Sequence, residues 1–115
     1  MQQEVMQMLD AQIKRGLLEE CVLSALCRGD SYGYQIIKDL APHVEISEST
    51  LYPILRRLES DNKVSEYSVA HNGRLRKFYQ ITPVGRAQVK EFLDDWSKIQ
   101  AMYEFIKGGI DRAES

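Results

Sequence analysis

Two short stretches hold the residues best suited to chemistry: ISESTLYPILRRLE at 46–59 and NGRLRKFYQIT at 72–82. In the first, Leu51, Ile54, Leu55 and Leu58 recur at i, i+3, i+4 and i+7, which marks one buried stripe of a helix. At about 100° per residue, Ser49, Pro53, Arg56 and Ser60 fall on the opposite face. Tyr52 flanks that face on one side, and Thr50 and Arg57 flank it on the other. The free face is thus small and polar near its start and basic further along. Its chemistry is hydrogen bonding and charge neutralisation, the character needed by a helix entering the DNA major groove. A solvated amphipathic helix can look the same. The second stretch adds Arg74, Arg76 and Lys77 within four residues, with no carboxylate beside them in sequence. A solubilising edge strand would mix signs.

The elements that must position these residues are legible. Ser47 is placed to cap the helix that follows. Pro53, beyond the first turn, removes one helical hydrogen bond and predicts a kink or a tight first turn. Residues 64–81 read as two strands joined at Asn72-Gly73, a strong hairpin signal. Tyr67, Val69, Tyr79 and Ile81 alternate with period two, as strands do. Upstream, residues 5–27 predict a long first helix, interrupted at the weak helix former Gly16. Gly29-Asp30 forms a turn, and a second helix runs from Ser31 to Leu40, ended by Pro42. Thr82-Pro83 supplies a cap and a first helical proline. The last helix spans about 83–108, stopped by Gly108-Gly109.

This order of helix and basic wing resembles the PadR family of bacterial transcriptional regulators. Ile46-Ser47, Thr50-Leu51-Tyr52-Pro53, Leu55 and Arg57-Leu58-Glu59 match its recognition-helix signature. Gly73-Arg74, Arg76-Lys77, Tyr79 and Thr82 match its wing, and Gly29-Asp30 with Tyr32-Gly33-Tyr34 match the turn and second helix. The resemblance covers roughly residues 8–107. It departs at Asn62, where the family usually has Gly; Asn tolerates the left-handed conformation such a helix end needs. The implied fold is mainly α with a β-hairpin wing. It is a winged helix-turn-helix over 5–81 followed by a C-terminal dimerisation helix, all in one domain of 1–115.

Composition agrees with this class. A net charge of −2 looks wrong for a DNA partner until it is divided. Residues 47–90 hold eight Lys/Arg against four Asp/Glu, net +4, while the remainder is net −6. Local charge, more than the sum, decides phosphate attraction. No signal peptide, membrane-length apolar run or lipidation motif is present, so a cytoplasmic protein without a membrane partner is expected. Cys21 and Cys27 read as reduced core thiols, with redox sensing as the alternative. Neither His43 nor His71 has metal-ligand spacing with them, and no metal or cofactor is expected. No phosphate loop, nucleophile elbow or paired-carboxylate motif points to catalysis.

The last helix adds a second idea. Val89, Trp96 and Tyr103 are seven apart, and Phe92, Ile99 and Ile106 are seven apart and offset by three. Together they form a heptad seam too long to fold back onto a small core, which predicts a homodimer. A two-fold dimer would present two recognition helices to a palindromic duplex. Trp96 and Tyr103 are bulky for a tight seam. Either they point into their own subunit, or they hold the helices apart and leave a flat aromatic gap for a planar apolar ligand. The chain also resembles the smaller PadR branch with one C-terminal helix, which includes a lactococcal multidrug-binding member that sandwiches planar drugs between paired tryptophans. That resemblance implies ligand contact by Trp96, Val89, Phe92 and Gln100, with Ile13 and Leu17 of the first helix as further walls. Gln100 stands where an acidic residue would suit a cationic ligand.

The expectation is a homodimeric repressor, not an enzyme, released by a small hydrophobic effector. Ser49, Thr50, Tyr52, Arg56 and Arg57 would face the major groove or its phosphates. Arg74, Arg76 and Lys77 would reach the backbone or minor groove. Two rivals stand beside it. One is a winged-helix module that binds protein rather than DNA. The other is a small metal-free enzyme using the aromatic seam as a substrate cleft, with no acid/base constellation to support it.

Overall fold

The structure, a computed structural model, describes residues 11–115. The part of the first helix expected over 5–10 lies outside the described residues. Helix α1 is Ala11–Cys27, α2 Gly33–Leu40 and α3 Glu48–Ser60; strands β1, Val64–His71, and β2, Arg74–Ile81, form the hairpin; α4 is Pro83–Glu114. Helix α1 runs unbroken through Gly16. A single glycine costs a helix interior only about 1 kcal/mol, which the flanking packing offsets.

The core sits among α1, α2, α3 and the base of the hairpin. Val22, Leu23 and Leu26 of α1 meet Ile36 of α2 and the α3 stripe Leu51, Ile54, Leu55 and Leu58, closed by Val64, Tyr79 and Ile81. Each fully buried Leu or Ile contributes roughly 1.5–3 kcal/mol. That burial is why the 3.6-residue period of α3 was a dependable sign of its inward face.

Caps and turns follow local chemistry. Ser47 occupies the cap position of α3, but its hydroxyl bonds the Ser49 and Thr50 hydroxyls rather than a backbone N–H. The first turn is tight, as Pro53 predicts: the N–H groups of both Thr50 and Leu51 donate to the Ser47 carbonyl, at 3.2 and 2.9 Å. At α4, the Thr82 hydroxyl accepts from the Gly85 N–H at 3.1 Å, with Pro83 at the helix start. Asn62 holds φ 60°, the left-handed end expected of it. Asn72 and Gly73, at φ 52° and 76°, form the two-residue hairpin turn.

Two further expectations need correction. Helix α2 starts at Gly33, not Ser31, because Ser31 is extended and forms a β-bridge with Tyr79. Helix α4 continues past Gly108-Gly109 to Glu114. No proline follows the glycines, and Arg112, Ala113 and Glu114 are good helix formers. In the hairpin, Tyr67 faces Phe78 and Val69 faces Arg76, while Tyr79 faces Glu66 and Ile81 faces Val64. Opposed residues share a face, so Tyr67 and Val69 lie on the opposite side of the hairpin from Tyr79 and Ile81. Period two in each strand is real; the relative register was not legible.

Among the described residues helix α4 packs on α1 and β2, and its buried and half-buried positions, Gly85, Gln88, Val89 and Phe92, lie in its first turns. Gln88 donates to Glu20 at 2.8 Å, and Val89 packs against the core. Partial burial pushes the Glu20 carboxyl above its usual range, against the pull of the Gln88 bond. From Leu93 onward every residue of α4 is exposed. The molecule is accordingly elongated, 66 × 28 × 21 Å.

Gly85 is the tightest point of this junction. A Cβ there would collide with the Lys63 carbonyl and the Ile81 side chain. Because the obstacle includes backbone, Gly85→Ala should destabilise the fold by roughly 1–3 kcal/mol. Urea unfolding should show a lower midpoint; an unchanged midpoint would mean the start of α4 yields freely.

Candidate nucleic-acid interface

Helix α3 buries Leu51, Ile54, Leu55 and Leu58 and leaves Ser49, Thr50, Tyr52, Pro53 and Arg56 exposed. Ser49 and Thr50 form a small hydroxyl cluster with Ser47 at the N-terminal end of that face. Arg56 lies further along and makes no ion pair among the described residues. Arg57 is turned away. Its Nε donates to the Glu19 carboxylate of α1 at 2.6 Å, so its charge serves the α1–α3 junction. One step of 100° around the helix separates a free arginine from a committed one.

Tyr52 crosses from α3 to the start of α2. A Cβ on Gly33 would overlap the Tyr52 hydroxyl and ring. Glycine at 33 therefore allows Tyr52 to lie against α2. The reason for Gly in Tyr32-Gly33-Tyr34 is close approach; its φ is not unusual.

The wing divides its charges between two faces. Arg74 and Arg76 share a face with Tyr67 and Phe78. Lys77 lies on the other, where its ammonium meets the Glu66 carboxylate at 3.3 Å. The basic tip thus has a carboxylate partner that sequence distance concealed. Glu66 is eleven residues from Lys77 but diagonal to it across the hairpin. Contact with Glu66 raises the Lys77 ammonium pKa, holding its proton more firmly.

Between α2, α3 and the wing lies an open groove of about 730 Å³, walled by Tyr32, Tyr34 and Tyr52 on one side and by His71, Asn72 and residues 74–77 on the other. A smaller cleft beside it is lined by Tyr52, Arg56, Glu59, Glu66, Lys77 and Tyr79. Of the expected residues, Tyr52, Arg74, Arg76 and Lys77 line the groove and Arg56 lines the cleft, while Ser49 and Thr50 line neither. Tyr32, Tyr34 and Leu75 were missed as members. The two tyrosines stood within a quoted motif, but only the fold brings the start of α2 opposite the wing.

The expected ligand residues are less gathered. Phe92 and Trp96 stack at 6.0 Å with 22° between ring planes. Gln100 donates to Glu104 along its own helix. Val89 is partly buried, Ile13 is exposed and Leu17 is half-buried on α1. Cys21 and Cys27 are free thiols, both partly buried, and burial pushes the Cys21 thiol up, away from reactive thiolate. Among the described residues no cluster of His, Cys, Asp and Glu could hold a metal ion, and no helix is long and apolar enough to cross a membrane.

The profile of the Transcriptional regulator PadR-like family matches residues 22–91, which span the end of α1, then α2, α3, the wing and the start of α4. The chain belongs to this family. Transcriptional regulator Rv3488 of Mycobacterium tuberculosis is 35% identical over 100 residues, covering 85% of this chain and 90% of that protein. The crystal structure of a PadR-like transcription factor from Bacteroides fragilis superposes with a TM-score of 0.77 at 31% identity, covering 84% of this chain and 95% of the other. Bacillus subtilis PadR in complex with operator DNA shares the fold at a TM-score of 0.62 and 21% identity, covering 66% of this chain and 46% of that one. The protein is a PadR-like transcriptional regulator with a winged-helix fold, and members of this family are regulators, not enzymes.

One local contact gives a pH test of the wing's seat. The Tyr67 hydroxyl donates to Asp30 at 2.7 Å, and this bond to a carboxylate, with its charge, raises the phenol pKa. The stabilisation is present below the ordinary phenol range and is lost as pH rises through the elevated value. In Asp30→Asn, Tyr67 should ionise closer to its ordinary pH, read by NMR titration of the ring carbon bearing the hydroxyl. An identical titration would remove Asp30 from this contact.

Proposed function

We propose that this PadR-like regulator is a cytoplasmic homodimeric repressor, folded as one domain per subunit, that binds a palindromic duplex and is released by a planar hydrophobic effector. The observation that carries the DNA reading is the open polar-to-basic face of α3 beside Arg74 and Arg76, with a groove between them. Bacillus subtilis PadR, similar in fold, is bound to operator DNA, which supports DNA as the partner.

Ser49, Thr50 and Tyr52 enter the major groove, and Arg56 takes a guanine edge or a phosphate. Arg74 and Arg76 contact backbone or minor groove. Arg57 acts indirectly by holding α3 against Glu19. Lys77 contributes less than its position suggests, because Glu66 neutralises it. Glu66→Gln should therefore tighten duplex binding roughly two- to fivefold, on the scale of an exposed ion pair. Weaker binding would show that the pair instead fixes the wing.

Dimerisation rests on α4. Val89, Phe92, Trp96, Ile99, Tyr103, Ile106 and Ile110 alternate at spacings of three and four, and Trp96 and Ile106 are 45% and 70% exposed. The seam runs one step beyond the glycines because the helix does. A second copy burying it sets the spacing of two reading heads. The Phe92–Trp96 stack, with Val89 and Gln100 and further walls from Ile13 and Leu17 of the first helix, supplies aromatic surface for a planar effector. Effector binding releases DNA to the extent that it favours one spacing of the heads over the other.

The test is an anisotropy titration of a labelled duplex from the DNA upstream of this protein's own gene, at two salt concentrations, against a scrambled duplex. Tighter, strongly salt-dependent binding to the first is expected. Equal binding to both, together with no duplex enriched from a random pool, would overturn the DNA reading. Ile106→Asp should shift sedimentation from dimer to monomer and abolish selective binding; a retained dimer would place the interface elsewhere.

A further inference from the structure

Three consecutive residues outside every helix hold the wing at three points. Asp30 accepts the Tyr67 hydroxyl of β1 at 2.7 Å. Ser31 exchanges two backbone hydrogen bonds with Tyr79 of β2, at 3.1 and 2.7 Å. Tyr32 meets the Phe78 ring edge-on at 5.3 Å, and the Arg76 guanidinium lies over the Tyr32 ring at 4.3 Å. Phe78 in turn stacks on Tyr67 at 5.7 Å. Tyr67, Phe78 and Arg76 all lie on one face of the hairpin, so the contacts close into a single ring-stacked layer ending in a cation.

We propose that Tyr32 is a positioning residue for DNA recognition: its ring holds the Arg76 guanidinium at the wall of the groove, ready for a phosphate. This rests on the DNA reading of the same face. The physical reason is the geometry of guanidinium. Stacking occupies one flat face and leaves the five N–H donors, which lie in the plane, free for oxygen acceptors. A carboxylate partner would occupy some of those donors and offset the charge, as Glu66 does at Lys77. Among the described residues Arg76 has no such partner. Without the ring, the long side chain would have to be ordered at the moment of binding, at a cost in side-chain entropy.

The experiment uses the full chain and the duplex of the titration above, or one enriched from a random pool if the upstream DNA is not bound. Affinity and salt slope are measured for Tyr32→Phe, Tyr32→Leu, Arg76→Ala and the Leu/Ala double variant, with thermal unfolding of each. Tyr32→Phe keeps the ring and should bind like the unaltered protein. Tyr32→Leu should lose roughly two- to fivefold in affinity, the worth of an exposed cation–π contact. Arg76→Ala should flatten the salt slope by about one. In the Arg76→Ala background, Tyr32→Leu should cost nothing more. Losses that multiply in the double variant would overturn the proposal, as would a loss in Tyr32→Phe equal to that in Tyr32→Leu. If Tyr32→Leu does not fold, Arg76→Lys replaces it: the charge stays but planar stacking goes, and a similar loss is expected, whereas unchanged affinity would overturn the role of the ring. Failure of the DNA reading is separate, because then no duplex is bound selectively by the unaltered chain.

Discussion

The backbone bridge between Ser31 and Tyr79 joins a helical core to a hairpin that has almost no core of its own. Beyond Val64, every residue of β1 is exposed, and a two-stranded hairpin is at best marginally stable in water. Two hydrogen bonds to Ser31 give β2 a partner on its second edge. Both Ser31 and Tyr79 are buried, where an unpaired backbone group would be costly. The same bridge explains why α2 begins at Gly33. The Ser31 carbonyl is committed to the Tyr79 N–H, so the first helical hydrogen bond is accepted by the Tyr32 carbonyl, from the Ile36 N–H, and Tyr32, extended at φ −125° and ψ 164°, makes the transition.

From that bridge the positions of the charged groups follow. Once β2 is anchored at Tyr79, the alternation of the strand sends Arg76 toward Tyr32 and Lys77 toward Glu66. One arginine is stacked with its hydrogen-bond donors free, while the neighbouring lysine is neutralised. Helix α3 makes a parallel division: Arg56 is free and Arg57 is tied to Glu19. In both elements, adjacent cations that look equivalent in sequence have different roles because one step along a strand or helix changes the side they face.

Helix α4 presents the opposite balance. Its first turns are tightly seated by Gly85, Gln88 and Val89, and its remaining length carries exposed apolar side chains at heptad spacing. Among the described residues that seam has no partner, and it is the feature on which the proposed dimer rests. Adjacent α1 residues reach both α3 and α4: Glu19 holds Arg57 of α3, and Glu20 receives Gln88 of α4.

Most of the elements were legible in the sequence by itself because they depend on local chemistry. The stripe of α3, the Asn72-Gly73 turn, the Thr82-Pro83 start of α4 and the heptad seam each follow from residues within a few positions of one another. So did the class of protein, since polar face, basic tip and family motif are contiguous. What only the tertiary structure decided involves partners distant in sequence: the bridge from Ser31 to Tyr79, the pairing of Arg57 with Glu19, the stacking of Arg76 on Tyr32 and the close approach of Tyr52 to Gly33. Composition shows that an arginine is present. Whether its donors are already occupied depends on which carboxylate or ring the fold brings within a few ångströms, and strand register and helix rotation set that choice.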